Sequence, residues 1–194
     1  MHETLFSFIE RNSGSRPATH EKEIIAECFV PKKLRKHQYF LQEGDVCKAS
    51  AFIVKGAMRQ YSVDDKGTEH IIRLSLENWW VTDRESIVTQ KPSKYYIDAW
   101  EDTEILVASR EDMANKILTI PVVAEAFRVM DYNHATALQN RVNAAISLSA
   151  EQRYEDLLKA YPEFIQRFPQ HIIASYLGIT KETLSRIRKK AITK

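Results

Sequence analysis

The sequence predicts an α+β fold in which a jelly roll, or double-stranded β-helix, is followed by a long helix and a C-terminal helix-turn-helix. Residues 36–109 contain short runs of branched and aromatic residues separated by turn signals, a pattern typical of many short strands. Pro121 then opens a helical stretch to about Ser147. Residues 170–190 have the spacing of two short helices joined by a glycine. We expect a roll over residues 1–120, a long helix over 121–148 and a helix-turn-helix domain over 149–194.

The composition fits a soluble globular protein, since 44% of the 194 residues are hydrophobic and the net charge is only +2. Any strongly basic surface must therefore be local. Cys28 and Cys47 are too few and too far apart for a disulfide framework or a zinc ribbon, which indicates reduced thiols in the cytoplasm. We expect a cytoplasmic protein without a membrane partner, because the sequence shows neither a signal peptide pattern nor an apolar run of membrane-spanning length.

The roll is expected to follow two short helices, over residues 3–12 and 21–28, with Pro31 placed after the second. Branched and aromatic runs then predict six strands, and the turn at residues 64–67 should join two of them as a hairpin. The predicted strands are Gln38–Leu41, Ala51–Val54, Met58–Ser62, Glu69–Ser75, Tyr95–Ala99 and Glu104–Ala108. Many short strands at this spacing favour a sandwich or jelly roll over a parallel sheet.

The long helix carries a seam of apolar and small residues in steps of four and three, the period of a coiled coil. Its members are Val123, Phe127, Met130, His134, Ala137, Arg141, Ala145 and Leu148. One interpretation is a helix packed on its own sheet. We favour a dimerisation helix, because a recognition helix that reads a two-fold site needs a partner related by the same symmetry.

The C-terminal domain starts with a capping box at Ser149 and Gln152. In the helix-turn-helix, Gly178 suits the turn because glycine tolerates a positive φ, and Thr180 suits the N-cap of the second helix. That helix should bury Leu184 and Ile187 on one side. Four residues after Lys190 are too few for a β-hairpin wing.

The charge of this domain predicts double-stranded DNA as its ligand. From residue 165 onward the only acid is Glu182, whereas the basic residues are Arg167, Lys181, Arg186, Arg188, Lys189, Lys190 and Lys194. A helix placed in a major groove would bring its first turns to base edges and its basic end to phosphates. The plainer alternative is a surface helical hairpin in which Glu182 and Arg186 form an ion pair.

The segment Leu41–Ser75 resembles the cyclic-nucleotide-binding β-roll, with Gly44 and Asp45, then a strand ending at Gly56, then Arg59. A roll, a long helix and a helix-turn-helix in this order are similar to the Crp/Fnr superfamily of bacterial transcription regulators. The resemblance implies a homodimer that binds a near-palindromic DNA site, with RNA polymerase as a further partner. It implies neither a catalytic nor a metal-ligating residue.

The same resemblance implies which residues meet DNA. Glu182, Ser185 and Arg186 match the family's base-reading positions, where arginine can donate to guanine and glutamate can accept from cytosine. Lys181 would contact a base or a phosphate. The phosphate candidates are Thr180, Thr183, Arg188 and Lys189.

The chain departs from the resemblance at the ligand site. The cassette that binds the phosphate of cyclic AMP begins with Gly-Glu and ends in Arg-Ser or Arg-Thr, whereas residues 77–100 contain neither pair. Asn78 and Trp79 stand near the first pair, and Lys94 and Tyr95 near the second. We therefore expect no ordinary cyclic AMP binding and no cofactor, with an unknown small-molecule effector left open. Two cysteines also exclude a four-cysteine iron–sulfur cluster, whereas scattered histidines leave haem sensing open.

Five residues of this stretch are candidates for lining a pocket for an apolar or anionic ligand: Trp79, Trp80, Arg84, Lys94 and Tyr95. The alternative is that the aromatic members pack in the core of the roll.

Two other functions are consistent with a roll. The first is a ligand-binding sensor module that acts on a protein partner through the C-terminal helices, which the basic charge of that end disfavours. The second is a jelly-roll enzyme. Catalysis of that kind needs clustered His and Glu ligands, but Glu69 and His70 are adjacent and point to opposite faces of a strand. We expect no enzymatic activity.

Overall fold

The computed structural model describes the backbone of residues 1–192 and the side chains of residues 1–190. Its strands are β1 (Val30–Leu34), β2 (Tyr39–Leu41), β3 (Ala49–Lys55), β4 (Met58–Val63), β5 (Glu69–Ser75), β6 (Trp80–Val81), β7 (Tyr96–Ala99) and β8 (Thr103–Ser109). Its helices are α1 (His2–Ser13), α2 (Thr19–Cys28), α3 (Arg84–Thr89), α4 (Arg110–Asp112, continued by a π-helix at Met113–Ile117), α5 (Pro121–Ser147), α6 (Ala150–Ala160), α7 (Pro162–Arg167), α8 (Gln170–Leu177) and α9 (Lys181–Ile192). The predicted absence of a wing falls on the end of the chain, outside the described residues.

The strands form two four-stranded sheets, with orders β1-β8-β3-β6 and β2-β7-β4-β5. The pairings of β8 with β1 and β3, of β3 with β6 and of β2 with β7 are antiparallel. Short strands in two sheets, followed by helices, confirm the α+β prediction.

The core of the roll lies partly between the sheets and partly under the N-terminal helices. Leu34, Ile53, Met58, Ile97 and Ile105 are buried together in one cluster. A second cluster joins α1 and α2 to β3, β6, β8 and the beginning of α5. It is rich in aromatic rings, which explains why the short strand β6 begins with a tryptophan.

Strand β1 is absent from the predicted set, because its sequence, Val-Pro-Lys-Lys-Leu, has a proline and two lysines where a central strand would have apolar residues. It lies at the end of its sheet, with Pro31 opposite Leu106 of β8. An edge strand tolerates proline because one row of its N–H groups needs no ladder partner. Exposed lysines at an edge also discourage pairing with other chains.

The turn between β3 and β4 requires Gly56. This residue has φ 107°, and an added Cβ would lie 2.5 to 2.8 Å from atoms of Thr103. The strand end therefore approaches the neighbouring backbone more closely than any side chain allows. Its N–H donates to the Glu77 carboxylate at 2.7 Å.

A buried ion pair joins the neighbouring strands β4 and β7. Nε and Nη2 of Arg59 donate to the two carboxylate oxygens of Asp98 at 2.9 and 3.0 Å, and both side chains are almost fully buried. The guanidinium also lies 5.3 Å from the centre of the Trp100 ring. The arginine that the sequence resemblance singles out therefore has an internal carboxylate as its partner.

The long helix α5 is present as predicted, but the first half of its predicted seam packs in its own roll. Val123 is fully buried in the aromatic cluster, and Phe127 and Met130 pack against that cluster. The exposed apolar side chains of α5 occur from its middle onward and are Tyr132 (69% exposed), Leu138 (60%), Val142 (52%) and Ile146 (82%). For the first half of the helix, packing on its own domain was the correct interpretation.

The chain divides into two compact units. The first contains residues 1–60 and 75–134, and the second contains residues 61–74 and the chain from Ala135 onward. The predicted domain boundaries at residues 120 and 148 lie at the two ends of helix α5. They stay a prediction.

Both cysteine thiols are free and buried, and burial raises the pKa of the Cys28 thiol. Among the described residues no helix is both long and apolar enough to cross a membrane. The same residues contain no group of three or more His, Cys, Asp or Glu side chains placed to hold a metal ion.

Candidate nucleic-acid interface

The helix pair α8–α9 packs through a small apolar core of its own. Ile173 and Ala174 of α8 and Leu184 and Ile187 of α9 are buried. Phe164 of α7 is also fully buried, and the centre of its ring lies 5.9 Å from that of Tyr176 on α8. The apolar spacing of the sequence therefore corresponds to the observed buried side of both helices.

The turn between the helices has the geometry that its residues favour. Gly178 has φ 67°, the left-handed conformation, and its N–H donates to Ser175 O at 3.0 Å. Thr180 precedes α9, and its Oγ1 accepts the Thr183 N–H at 3.2 Å. The glycine stop and the threonine cap were both predicted, and they fix where α9 begins.

The side chains predicted to meet DNA share the outer side of α9. Thr180, Lys181, Glu182, Arg186 and Lys189 are exposed. Thr183, Ser185 and Arg188 are half-buried on its flanks. The structure thus brings the eight predicted residues onto one short helix and its cap.

Local hydrogen bonds organise the beginning of this helix. The Glu182 backbone N–H and the Thr180 hydroxyl, with smaller effects of Lys181 and Arg186, lower the pKa of the Glu182 carboxyl, so it is ionised at neutral pH. Nη2 of Arg186 donates to the Thr183 hydroxyl at 3.3 Å. This side of α9 therefore presents one carboxylate acceptor, Glu182, among the donors Lys181, Arg186 and Lys189.

The basic end of α9 is partly engaged within the domain. Lys190 Nζ lies 3.0 Å from the Glu151 carboxylate of α6. Because both side chains are largely exposed, this ion pair is weak, and Lys190 can readily exchange Glu151 for another anion.

The five candidates for a ligand pocket have separate surroundings. Trp80 is buried, with its ring 4.7 to 6.1 Å from four phenylalanine rings. Arg84 pairs with Asp131 of α5, Lys94 lies 3.8 Å from Glu85, and Trp79 and Tyr95 are half-buried. An open cleft of about 490 Å³ lies elsewhere on the roll, lined by Lys32, Phe40, Leu41, Gly44, Asp45, Val46, Cys47, Lys48, Ala49 and Val107.

The beginning of α3 carries an internal carboxylate. Oδ1 of Asp83 accepts the backbone N–H groups of Glu85 and Ser86, and Oδ2 accepts the Ser93 hydroxyl at 2.6 Å. Asp83, Ser86 and Ser93 are all buried. The groups that could receive an anion at this helix end are thus occupied by the chain itself.

Comparison with known proteins finds a family model that matches the roll and solved structures that match most of the chain. Residues 31–119 match the model of the cyclic nucleotide-binding domain. The structure of the c-di-GMP-responsive global regulator CLP of Xanthomonas campestris is similar, with a TM-score of 0.70, 14% identity, and coverage of 91% of this chain and 92% of that chain. FixK2 from Bradyrhizobium japonicum gives a TM-score of 0.68 and 18% identity, with 85% of each chain covered.

A third similar structure, from Eubacterium rectale, is assigned to the Crp/Fnr family of transcriptional regulators. It gives a TM-score of 0.65 and 15% identity, with 90% of this chain and 83% of that chain covered. The fold of the chain is similar to these structures. No curated protein matches the sequence significantly.

Some contacts of the chain were missed by the sequence analysis. Asp83 could have been found, because an aspartate followed by an acidic residue in the first helical turn is typical of a helix N-terminus. The contacts of Ser93 with Asp83, of Arg141 with Ile72 and of Ser175 with Glu69 had no local signal, since these partners lie 10 to 106 residues away in sequence.

Proposed function

We propose that the chain is a sequence-specific DNA-binding transcription regulator of the Crp/Fnr type, in which α8–α9 act as a helix-turn-helix. The supporting observation is the division of α9 into two faces. Leu184 and Ile187 hold it to its domain, whereas Lys181, Glu182 and Arg186 are exposed. Such a function takes place in the cytoplasm, involves no catalytic step, and makes RNA polymerase a further partner.

Base reading is assigned to Arg186 and Glu182, with Ser185 between them. A guanidinium can donate two hydrogen bonds to guanine O6 and N7, and an ionised carboxylate can accept from cytosine N4. Lys181 contacts a base or a phosphate. The residues assigned to phosphates are Thr180, Thr183, Arg188 and Lys189, which position the helix without specifying sequence.

A homodimer forms through the exposed apolar face of α5. Ala135, Leu138, Val142 and Ala145 follow in steps of three, four and three, and all four are exposed. This is the period of a two-stranded coiled coil. Two recognition helices related by this seam would meet half-sites about 34 Å apart, one helical turn of DNA.

The roll does not bind cyclic AMP in the ordinary way. The support is the Asp83 carboxylate, which takes the N–H groups at the beginning of α3 and repels a second anion. Isothermal titration should detect no binding at micromolar cyclic AMP. Micromolar or tighter affinity would disprove this part of the proposal.

The function is tested by selecting genomic DNA fragments with the purified full-length chain. We expect enrichment of a near-palindromic sequence with two half-sites. A variant carrying Lys181→Ala, Glu182→Ala and Arg186→Ala should lose the enrichment.

Lys159→Ala is the matched control, because Lys159 is an exposed lysine of the same domain on α6. Fragments selected without a common sequence, or selected equally well by the triple variant, would reject the proposed function.

A further inference from the structure

The helix pair is bound to the edge of a β-strand through one serine. The Ser175 hydroxyl donates to Glu69 O at 3.0 Å and accepts the Ile71 N–H at 2.9 Å. These two backbone groups belong to β5, which ends its sheet. Groups of residues i and i+2 point to the same side of a strand, so one hydroxyl replaces the donor and the acceptor of a neighbouring strand.

An arginine of the long helix continues the same contact. Nη1 of Arg141 donates to Ile72 O at 2.5 Å, and Nη2 donates to Tyr176 O at 3.2 Å. The guanidinium carbon lies 4.2 Å from the centre of the Tyr176 ring. Arg141 therefore joins three elements: its own helix α5, strand β5 and helix α8. We call Ser175 and Arg141, with their partners, the β5 latch.

The β5 latch is partly shielded from water. Ser175, Tyr176 and Arg141 are half-buried, and burial raises the pKa of the Tyr176 hydroxyl. Hydrogen bonds of a charged donor are stronger in such surroundings than on an open surface. The contact is therefore specific enough to select one orientation of α8.

The hydrogen bonds of the β5 latch involve none of the residues assigned to DNA. Ser175 and Tyr176 precede the turn at Gly178, whereas Lys181 and Arg186 follow it and are exposed. A contact that leaves the reading face open orients the helix pair and does not block it.

The latch also meets α5 at the seam assigned to the dimer. Arg141 stands between Leu138 and Val142, whose side chains are exposed. One turn of helix thus carries both the arginine that holds α8 and the residues that would meet a second copy. Orientation of the helix pair and geometry of the dimer are consequently set at the same place.

We infer that Ser175 and Arg141 are positioning residues that fix the half-site spacing this protein accepts. The inference rests on the proposed function. Two helix pairs held rigidly on the dimer seam match one spacing and have little orientational freedom to lose on binding. Released helix pairs lose more freedom on binding and accept several spacings.

The test measures binding of the full-length protein to the selected operator, to versions with one or two base pairs added or removed between half-sites, and to a single half-site. Ser175→Ala removes the hydroxyl. Arg141→Lys keeps the charge but not the forked donors. Each variant should bind the natural spacing about tenfold more weakly, bind the single half-site as before, and discriminate less between spacings.

Two further variants separate positioning from folding. Ser147→Ala removes a hydroxyl that donates to Asn143 O of its own helix, and should leave the spacing profile unchanged. Ser175→Thr keeps a hydroxyl at the latch and should restore the profile lost in Ser175→Ala. Thermal melts identify any variant that does not fold. If Ser175→Ala does not fold, the spacing profile of Arg141→Lys decides the test.

The inference is overturned if the variants keep the wild-type spacing profile, or if affinity falls equally for every spacing and for the half-site. Wild-type protein that selects no common DNA sequence would instead remove the proposed function, and the spacing inference with it. The two failures are distinguished by the wild-type measurement alone.

Discussion

At the residue scale, Glu182 and Arg186 are separated by about one turn of α9, and both are exposed. Spacing of this kind also suits a surface ion pair, and an exposed ion pair contributes little to stability. The two uses predict different consequences when the arginine is removed. If Arg186 contacts a base, the loss of DNA affinity on its removal depends on the DNA sequence. If it forms only an ion pair, the loss does not.

Arg186→Ala should relax sequence preference at one base pair in each half-site, because it removes both donors to a guanine edge. The expected loss of discrimination is about 1–3 kcal/mol per contact. Sequencing of a randomised operator library after selection measures it, position by position.

Lys189→Ala provides the contrast, since a lost phosphate contact weakens binding uniformly across sequences. Arg186 would be reassigned to a phosphate if its removal reduced the affinity for random and specific DNA equally.

The buried pair of Arg59 and Asp98 supports a second prediction. Asp98→Ala leaves an enclosed guanidinium without its carboxylate, and should lower the free energy of unfolding by about 3–5 kcal/mol. Urea denaturation followed by circular dichroism measures the change. Glu104→Gln removes a surface partner of Lys33, whose side chain is mostly exposed, and should leave the urea midpoint unchanged. Equal urea midpoints for the two variants would show that the buried pair contributes no more to stability than the surface pair.

At the element scale, the hairpin of β4 and β5 is closed by Asp64. The pKa of this carboxyl is lowered to about 2 by the hydrogen bond of His70, and further by the backbone N–H groups of Thr68 and Lys66. A carboxyl with a lower pKa in the folded than in the unfolded state stabilises the fold above its ordinary pKa. That contribution is lost as the pH falls through about 2.

A carboxyl NMR titration should therefore find Asp64 with a midpoint near 2. His70→Ala should raise that midpoint, because it removes the largest cause of the shift. Asp112 is the internal reference, since Lys116 and Ser109 lower its pKa at a separate place. A midpoint of Asp64 that does not respond to His70→Ala would show that the backbone N–H groups alone hold the carboxylate.

The helix α5 makes a prediction about assembly. Leu138→Glu places a charge on the exposed apolar face and should raise the dimer dissociation constant at least about tenfold, since burying a leucine side chain contributes about 1.5–3 kcal/mol. Analytical ultracentrifugation measures the constant. Asn140→Glu adds the same charge to the same helix two residues away and should have little effect. Similar constants for both variants would place the dimer contact on another surface.

Elements with local signals were predictable, and contacts between distant segments were not. The end of α8 at Gly178 and the cap of α9 at Thr180 follow from the chemistry of single residues. Strand β1 was missed because an edge position permits Pro31 and lysines that local propensity disfavours. Arg141 was assigned to the helix seam because its spacing fits, whereas its carbonyl partners on β5 lie about seventy residues earlier in the chain. Spacing along one helix gives no information on which neighbour covers each face.

At the scale of the whole molecule, charge is distributed unevenly. The net charge of the sequence is only +2, yet the exposed side of α9 carries Lys181, Arg186 and Lys189 against Glu182. In a nearly neutral protein, this basic face of α9 should be attracted to the phosphates of DNA.

Binding to the operator should therefore depend on salt to a moderate degree. Two to three cationic phosphate contacts per protomer predict a slope of log K against log salt of about −4 to −5 for the dimer. Lys189→Ala should reduce the slope by about two, one contact in each subunit. Fluorescence anisotropy at several potassium concentrations measures both. A slope near zero would mean that phosphates contribute little to affinity.

The Asp83 carboxylate at the start of α3 has a consequence for how cells would govern such a protein. On the proposal that the roll does not bind cyclic AMP, a domain that supplies its own negative charge at this helix end does not need a cyclic nucleotide to deliver one. Its output would then follow the number of copies made and destroyed, so that synthesis and turnover replace a diffusible messenger as the point of control. Expression of the chain from an inducible promoter, in cells unable to make cyclic nucleotides, would reveal that dosage response directly.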